Sequence, residues 1–178
     1  MWYGYHKIRI VIREEYSMTS DTVSRQVALL TAQDQAAGYE AMHVLLRESA
    51  RGCHVYSHME HFFELLECKS SYLRTRGALL IAANARWDER HLLDRRIDRY
   101  LSHILDPKPI TARQCIKALP GICACKPALK NAIVAALEEA DTSCYRDSMR
   151  PLIEKDIRSA LSAIQNGPST VEQEQIKP

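Results

Sequence analysis

Three stretches decide how this chain folds: RTRGALLIAANARWDE at 74–89, DPKPITARQCIKALPGI at 106–122 and DSMRPLIEKDI at 147–157. A step of 37 residues brings Arg76, Arg113 and Arg150 into register, and carried backwards it reaches Tyr39. Two places on, the same step aligns Ala41, Ala78, Cys115 and Leu152, and three places on it aligns Met42, Leu79, Ile116 and Ile153. A repeated arginine followed by a repeated apolar face, at a period long enough for two helices, is the mark of an α-solenoid. A single helix pair cannot bury its apolar stripe alone. Stacking the pairs makes one continuous core.

Outward from these stretches the chain reads as helix after helix. Residues 20–32 form the first expected helix, capped by Ser20 or Asp21. A second runs from about Asp34 to Arg51 and stops at Gly52, a natural residue for the position after a helix. Ser57 and Glu60 have the spacing of a capping box and open a third helix, to about Cys68. A fourth covers 71–85. Asp88 is expected to cap a long helix with Leu93, Ile97, Tyr100, Leu101 and Ile104 on one stripe, ended by Asp106-Pro107-Lys108-Pro109. Residues 111–119 then make a short helix closed by Pro120-Gly121. Pro127 sits in the first turn of the next, with Leu129, Ala132, Ile133, Ala136 and Leu137 inward. The last helix runs from about Met149 to Ile164 and is stopped at Asn166-Gly167-Pro168. The expected domain is therefore a single unit over 18–165. Residues 166–178 read as a disordered polar tail. Residues 1–17, where Ile8, Ile10 and Ile12 have a strand-like alternation and nothing to pair with, read as a loosely attached or disordered extension before a candidate start at Met18.

Of the 178 residues, 46% are hydrophobic and 26% charged, the balance of a soluble globular domain. Lys7, Arg9 and Arg13 interrupt any signal-peptide core, so the six cysteines are expected as thiols in a reducing cytoplasm. The net charge is only +2 but unevenly spread. Residues 74–130 hold twelve Lys/Arg against five Asp/Glu, while both flanks are acidic. That basic middle is the main electrostatic lead.

Tyr72-Leu73-Arg74-Thr75-Arg76 before one apolar run, and Asp106 to Arg113 before another, resemble HEAT repeats. The stretch 60–165 is also similar to small bacterial HEAT-like proteins, some of which carry an iron–sulfur-assembly (SufBD-type) label. The resemblance implies an all-α, armadillo-like superhelix of about four helix pairs, right-handed and curved, its inner surface lined by the second helix of each pair. It also implies a structural ladder of turn aspartates and second-helix arginines, with Asp106 and Arg113 as one rung and Arg76 and Arg150 as the equivalent arginines. The second repeat departs from that pattern, because Glu67 or Ser71 stands where an aspartate is expected.

Cys123 and Cys125, with Cys115 upstream, raise a metal or redox reading, but Cys115 falls on an apolar repeat position and no paired CxxC is present. His54, His58 and His61, beside Cys53, would share one helix face next to the stripe of Val55, Met59, Phe62 and Leu66, which reads as a polar border to the core. No metal site is expected, and no cofactor. There is no phosphate-cradling loop, dinucleotide fingerprint or nucleophile elbow, and no enzyme is inferred. Arg86, Trp87, Lys108, Lys117 and Lys126 sit near inter-helix turns and are the expected partner contacts, Trp87 competing with a role as an inter-repeat wedge. The expected function is a non-enzymatic scaffold that binds a protein or peptide. The alternative is nucleic-acid binding through the basic middle, as in the DNA-glycosylase branch of HEAT-like folds, and the third reading is an iron–sulfur or metal-handling accessory. The alternation of Asp94 and Asp98 with Arg90, Arg95 and Arg99 favours a mixed solvated face over a nucleic-acid groove.

Overall fold

A computed structural model describes residues 18–167; the expectations for 1–17 and for 168–178 lie outside the described residues. Eight α-helices follow one another: α1 (Ser20–Leu29), α2 (Gln35–Arg51), α3 (Met59–Leu66), α4 (Ser71–Asn84), α5 (Leu92–Leu101), α6 (Pro109–Cys125), α7 (Lys130–Glu138) and α8 (Arg150–Asn166). Among the described residues there is no strand, and no helix is long and apolar enough to cross a membrane. Helices α1, α3 and α7 each pack on their successor, and α5 reaches α6 through the 3-10 turn Ser102–Leu105. The even-numbered helices pack on one another in order, α2 on α4, α4 on α6 and α6 on α8.

The row runs in one direction, as hydrogen bonds at its two ends show. Arg76 of α4 reaches the start of α2, donating to the carbonyl of Gln35 (3.0 Å), while Asn84 near the end of α4 donates to the Ser49 hydroxyl near the end of α2 (3.0 Å). Thr75 and Thr111 share a hydroxyl bond of 2.9 Å in the first turns of α4 and α6. At their far ends Lys126 donates to the Asp88 carbonyl (2.6 Å). The core lies between the row and the odd-numbered helices. Phe62, Phe63, Leu80, Ile81, Leu93, Tyr100, Ile116, Ile133 and Ile153 are fully buried in it, each apolar side chain contributing roughly 1.5–3 kcal/mol by leaving water.

Several local expectations are corrected. Thr19, not Ser20 or Asp21, caps α1, accepting from the Thr22 N–H at 3.3 Å. Gly52 is extended at φ −170°, a backbone open to any residue, so it is no left-handed helix stop. The capping box at Ser57 does not form: residues Cys53–His58 make a 3-10 helix and the Ser57 hydroxyl donates to the His54 carbonyl. Asp88 does cap α5, but across an inserted turn. Its carboxylate accepts from Leu92 and Leu93 N–H at 2.8 and 2.9 Å, and His91 between them takes a left-handed backbone at φ 54°. Helix α6 does not close at Pro120-Gly121 but continues to Cys125. A proline inside a helix costs about 3 kcal/mol. Beyond it Ile122 and Cys123 are buried with Leu119, and apolar burial at roughly 1.5–3 kcal/mol per large side chain outweighs that cost.

Close approach requires glycine at 77, whereas at 38 an added Cβ would press on the end of a side chain. A Cβ on Gly77 would stand 2.6 Å from the Phe62 carbonyl oxygen, so α3 and α4 touch backbone to backbone there. A Cβ on Gly38 would stand 2.5 Å from the Arg76 guanidinium.

Candidate functional site

The polar side chains that the repeat positions are mostly structural. Arg76 is buried and donates to the carbonyls of Leu30 (2.6 Å) and Gln35 (3.0 Å), with no carboxylate among its partners; burial pulls its pKa down. The expected rung of Asp106 with Arg113 does not form. Asp106 is instead held by Arg74, with Nε at 2.6 Å from one carboxylate oxygen and Nη2 at 2.7 Å from the other. Arg113 turns to Asp156 on α8 at 2.5 Å, where Lys117 also approaches at 3.7 Å. Arg150 donates to the Tyr145 carbonyl and pairs with Asp147 at the entrance to its own helix. The register of the arginines is real, but each serves a different partner, because the turns before α4, α6 and α8 differ in length and in acid content.

Part of the basic middle is neutralised from the acidic flanks, while Arg86, Arg90, Arg95, Lys108 and Lys130 stay exposed. Arg96 pairs with Glu60 (2.5 Å) and Arg99 with Glu67 (3.0 Å), both reaching back to α3 or its end, while Arg113 reaches forward to Asp156. Lys126 is the clearest correction among the expected contacts. Its side chain is 11% exposed and its ammonium lies 3.2 Å from Asp88 and 2.9 Å from Asp94, so it ties α6 to the α4–α5 turn. Burial pulls its pKa down, but bonds from both carboxylates outweigh that and raise it. Asp88, fully buried at the carboxylate, also receives the Tyr56 hydroxyl at 2.7 Å. Burial pushes that phenol up to about 12, helped by Asp88. Trp87 is half-buried and its indole N–H donates to the Ser49 carbonyl at 2.7 Å, which is the wedge role. Arg86 beside it is exposed. Lys117 is half-exposed in the middle of α6, and Lys108 is exposed at its start. The five expected contacts therefore do not form one site: Arg86, Trp87 and Lys126 stand at the far ends of α4 and α6, Lys108 at the near end.

The cysteines and histidines do not converge either. Among the described residues no three His, Cys, Asp or Glu are placed to hold a metal ion. Burial pushes the Cys115 thiol up to about 12 and raises Cys123, which keeps both in the form that binds metals poorly. The 3-10 turn through Cys53–His58 breaks the helical register that would align His54, His58 and His61. His61 pairs with Glu64 instead, and burial lowers the pKa of His58.

The surface that does stand out contains only Lys108 of the expected contacts. Of six exposed large apolar side chains among the described residues, three lie at the near ends of α4 and α6: Tyr72 (63% exposed), Leu105 (36%) and Ile110 (70%). Arg74 clips this edge together. Besides Asp106, its Nη1 donates to the carbonyls of Cys68 (2.9 Å) and Lys69 (2.8 Å), so one guanidinium joins the turn before α4 to the turn before α6. The Asp106 carboxylate accepts the Lys108 N–H (2.8 Å) and lies 3.0 Å from His103, and its carbonyl accepts the Tyr145 hydroxyl (2.7 Å). Burial pushes the Asp106 carboxyl up, but the bonds from Arg74, Lys108 N–H and His103 outweigh it and hold the group below its usual value. The Thr75–Thr111 hydroxyl bond and a 3.3 Å bond from Thr111 to the Ser71 carbonyl fix the first turns side by side. Lys69 and Lys108 stand in the turns before α4 and α6, both exposed. The carboxylates nearest them in sequence, Glu67 and Asp106, are engaged with Arg99 and Arg74. Sequence carried half of this signal. Ile110 lies off the buried stripe of α6 (Ala112, Cys115, Ile116, Leu119), whereas Tyr72 stands four residues before buried Arg76 and looks like a core position.

No protein-family model, curated protein or solved structure matches the chain.

Proposed function

We propose that this chain is a non-enzymatic interaction module of the HEAT-like class, an α-solenoid of four helix pairs that takes a protein or peptide partner on the row of even-numbered helices, at the near edge of α4 and α6. The 37-residue register and the sequential packing of the even-numbered helices support the solenoid reading. The observation that carries the function is the gathering of Tyr72, Leu105 and Ile110 at one braced edge of that row. Large apolar groups left in water cost solubility, and where they cluster on a rigid support they mark a surface that another molecule covers. The nucleic-acid alternative is less well supported, since Arg74, Arg76, Arg96, Arg99, Arg113, Lys117 and Lys126 are all engaged within the chain.

The test is photo-crosslinking with a benzophenone amino acid placed at Tyr72 or Ile110, and at exposed Arg47 and Lys155 as controls, in cells expressing the full chain. The reading expects one discrete protein adduct from positions 72 and 110 and none from the controls. Equal labelling from all four positions, or adducts to nucleic acid, would refute it.

A further inference from the structure

We infer that the partner segment seated on the edge of α4 and α6 is acidic, a peptide stretch carrying Asp or Glu beside one or two bulky apolar side chains. This rests on the interaction-module reading and adds the chemistry of the partner. Lys69 and Lys108 are exposed, and no carboxylate of the described residues pairs with either side chain. Their backbones are held on the two sides of the Arg74–Asp106 pair, one by its carbonyl to Arg74 and the other by its N–H to Asp106. Lys69 and Lys108 therefore stand in the same two turns as Tyr72, Leu105 and Ile110, on backbone that the interior clip keeps from moving apart. Helix α4 has no side-chain cap at its start and adds its positive end to the same sign, whereas the start of α6 already faces the Asp106 carboxylate through the Lys108 N–H.

Charge and apolar area then ask for different things from one ligand. The lysines select carboxylates and speed the encounter, while the trio supplies the burial that holds the complex. A polyphosphate chain would satisfy the lysines and leave Ile110 and Leu105 in water. A neutral apolar helix would do the reverse. An acidic segment with an apolar anchor satisfies both.

The experiment is fluorescence anisotropy of the full chain with a labelled synthetic peptide of glutamates around one leucine and one phenylalanine. A peptide with lysine in place of every glutamate and a labelled single-stranded RNA serve as comparisons. The acidic peptide is expected to bind, to weaken as salt rises, and to lose about tenfold in affinity in the double variant Lys69→Glu/Lys108→Glu and again in Ile110→Ser. Lys130→Glu, an exposed lysine elsewhere, leaves binding unchanged. Both lysines and Ile110 are exposed, so unchanged thermal unfolding certifies the variants. Equal binding of the lysine peptide or of RNA overturns the inference, as does acidic-peptide binding that ignores the double reversal. Failure of the acidic peptide with crosslinking from positions 72 and 110 intact would remove the acidic chemistry alone. Failure of both removes the module reading.

Discussion

Gly77 and Gly121 both lie inside helices, and the same substitution should move stability in opposite directions at the two sites. Alanine is the better helix former by about 1 kcal/mol, so propensity alone favours both changes. At Gly121 nothing stands within 4 Å of an added Cβ and the residue is exposed, so the full gain of about 1 kcal/mol is expected. At Gly77 the Cβ would stand 2.6 Å from the Phe62 carbonyl oxygen, 3.0 Å from Leu65 Cβ and 3.2 Å from the Leu66 nitrogen. The first and last of these are backbone atoms of α3, so the whole helix must retreat by several tenths of an ångström. Phe62, Leu65 and Leu66 are all buried at this contact and move with it. Overpacking of this kind costs about 1–3 kcal/mol, and more when backbone must shift. Because backbone must shift, the cost lies at the upper end of that range, about 2–3 kcal/mol, and the gain of about 1 kcal/mol set against it leaves Gly77→Ala destabilised by roughly 1–2 kcal/mol. For a chain of this size each kcal/mol shifts Tm by about 2–4 °C, so Gly77→Ala should fall by roughly 2–8 °C and Gly121→Ala should rise by roughly 2–4 °C. Thermal unfolding followed by circular dichroism, backed by urea titration, reads both. A Gly77→Ala protein as stable as its parent would refute the close packing of α3 on α4.

Tyr100 is fully buried and its hydroxyl has no hydrogen-bond partner; Tyr100→Phe should therefore be neutral or raise stability by about 1 kcal/mol in urea unfolding, and a loss above that would reveal a bond to that hydroxyl. Lys126→Met leaves the buried Asp88 short of its ammonium and should cost about 2–4 kcal/mol, whereas Lys108→Met should cost almost nothing, so equal midpoints for the two variants would contradict the buried role of Lys126. Asp88 and Asp106 have carboxyls that burial pushes up but hydrogen bonds hold below the ordinary 3.8. Their folded values being depressed, their stabilisation is present above that pH and is lost as pH falls through the folded values. The urea midpoint should thus drop steeply below about pH 4, less so in Asp106→Asn, and a flat midpoint down to about pH 3 would count against it.

The helical composition and the repeat were legible because they rest on period and register. Arg76, Arg113 and Arg150 mark the same place on three helices, and buried Ala78, Cys115, Ile116 and Ile153 follow them, but Leu152 in the place of Ala78 is exposed and Leu79 is half-buried. Local stops were less legible. Pro120 reads as a helix end by its missing N–H, yet Ile122 and Cys123 beyond it have a core to enter, and only tertiary packing reveals that. The ladder was misassigned because register pairs Asp106 with Arg113 in its own repeat, whereas Asp106 faces back to Arg74 on α4 and Arg113 faces forward to Asp156 on α8. Charge misled most. Twelve cations in residues 74–130 look like a surface in sequence. In three dimensions Arg96, Arg99 and Arg113 lie against carboxylates from neighbouring pairs, about one repeat away. The candidate edge was hidden because exposure of Tyr72 depends on how α4 and α6 are offset, which no single helix encodes.

The most direct measurement is amide chemical-shift mapping of isotopically labelled full-length protein titrated with the acidic peptide. The account predicts shifts gathered at residues 69–76 and 105–113, with little change on α8. Shifts concentrated on Arg86, Arg90 and Arg95, or spread over α7 and α8, would contradict it.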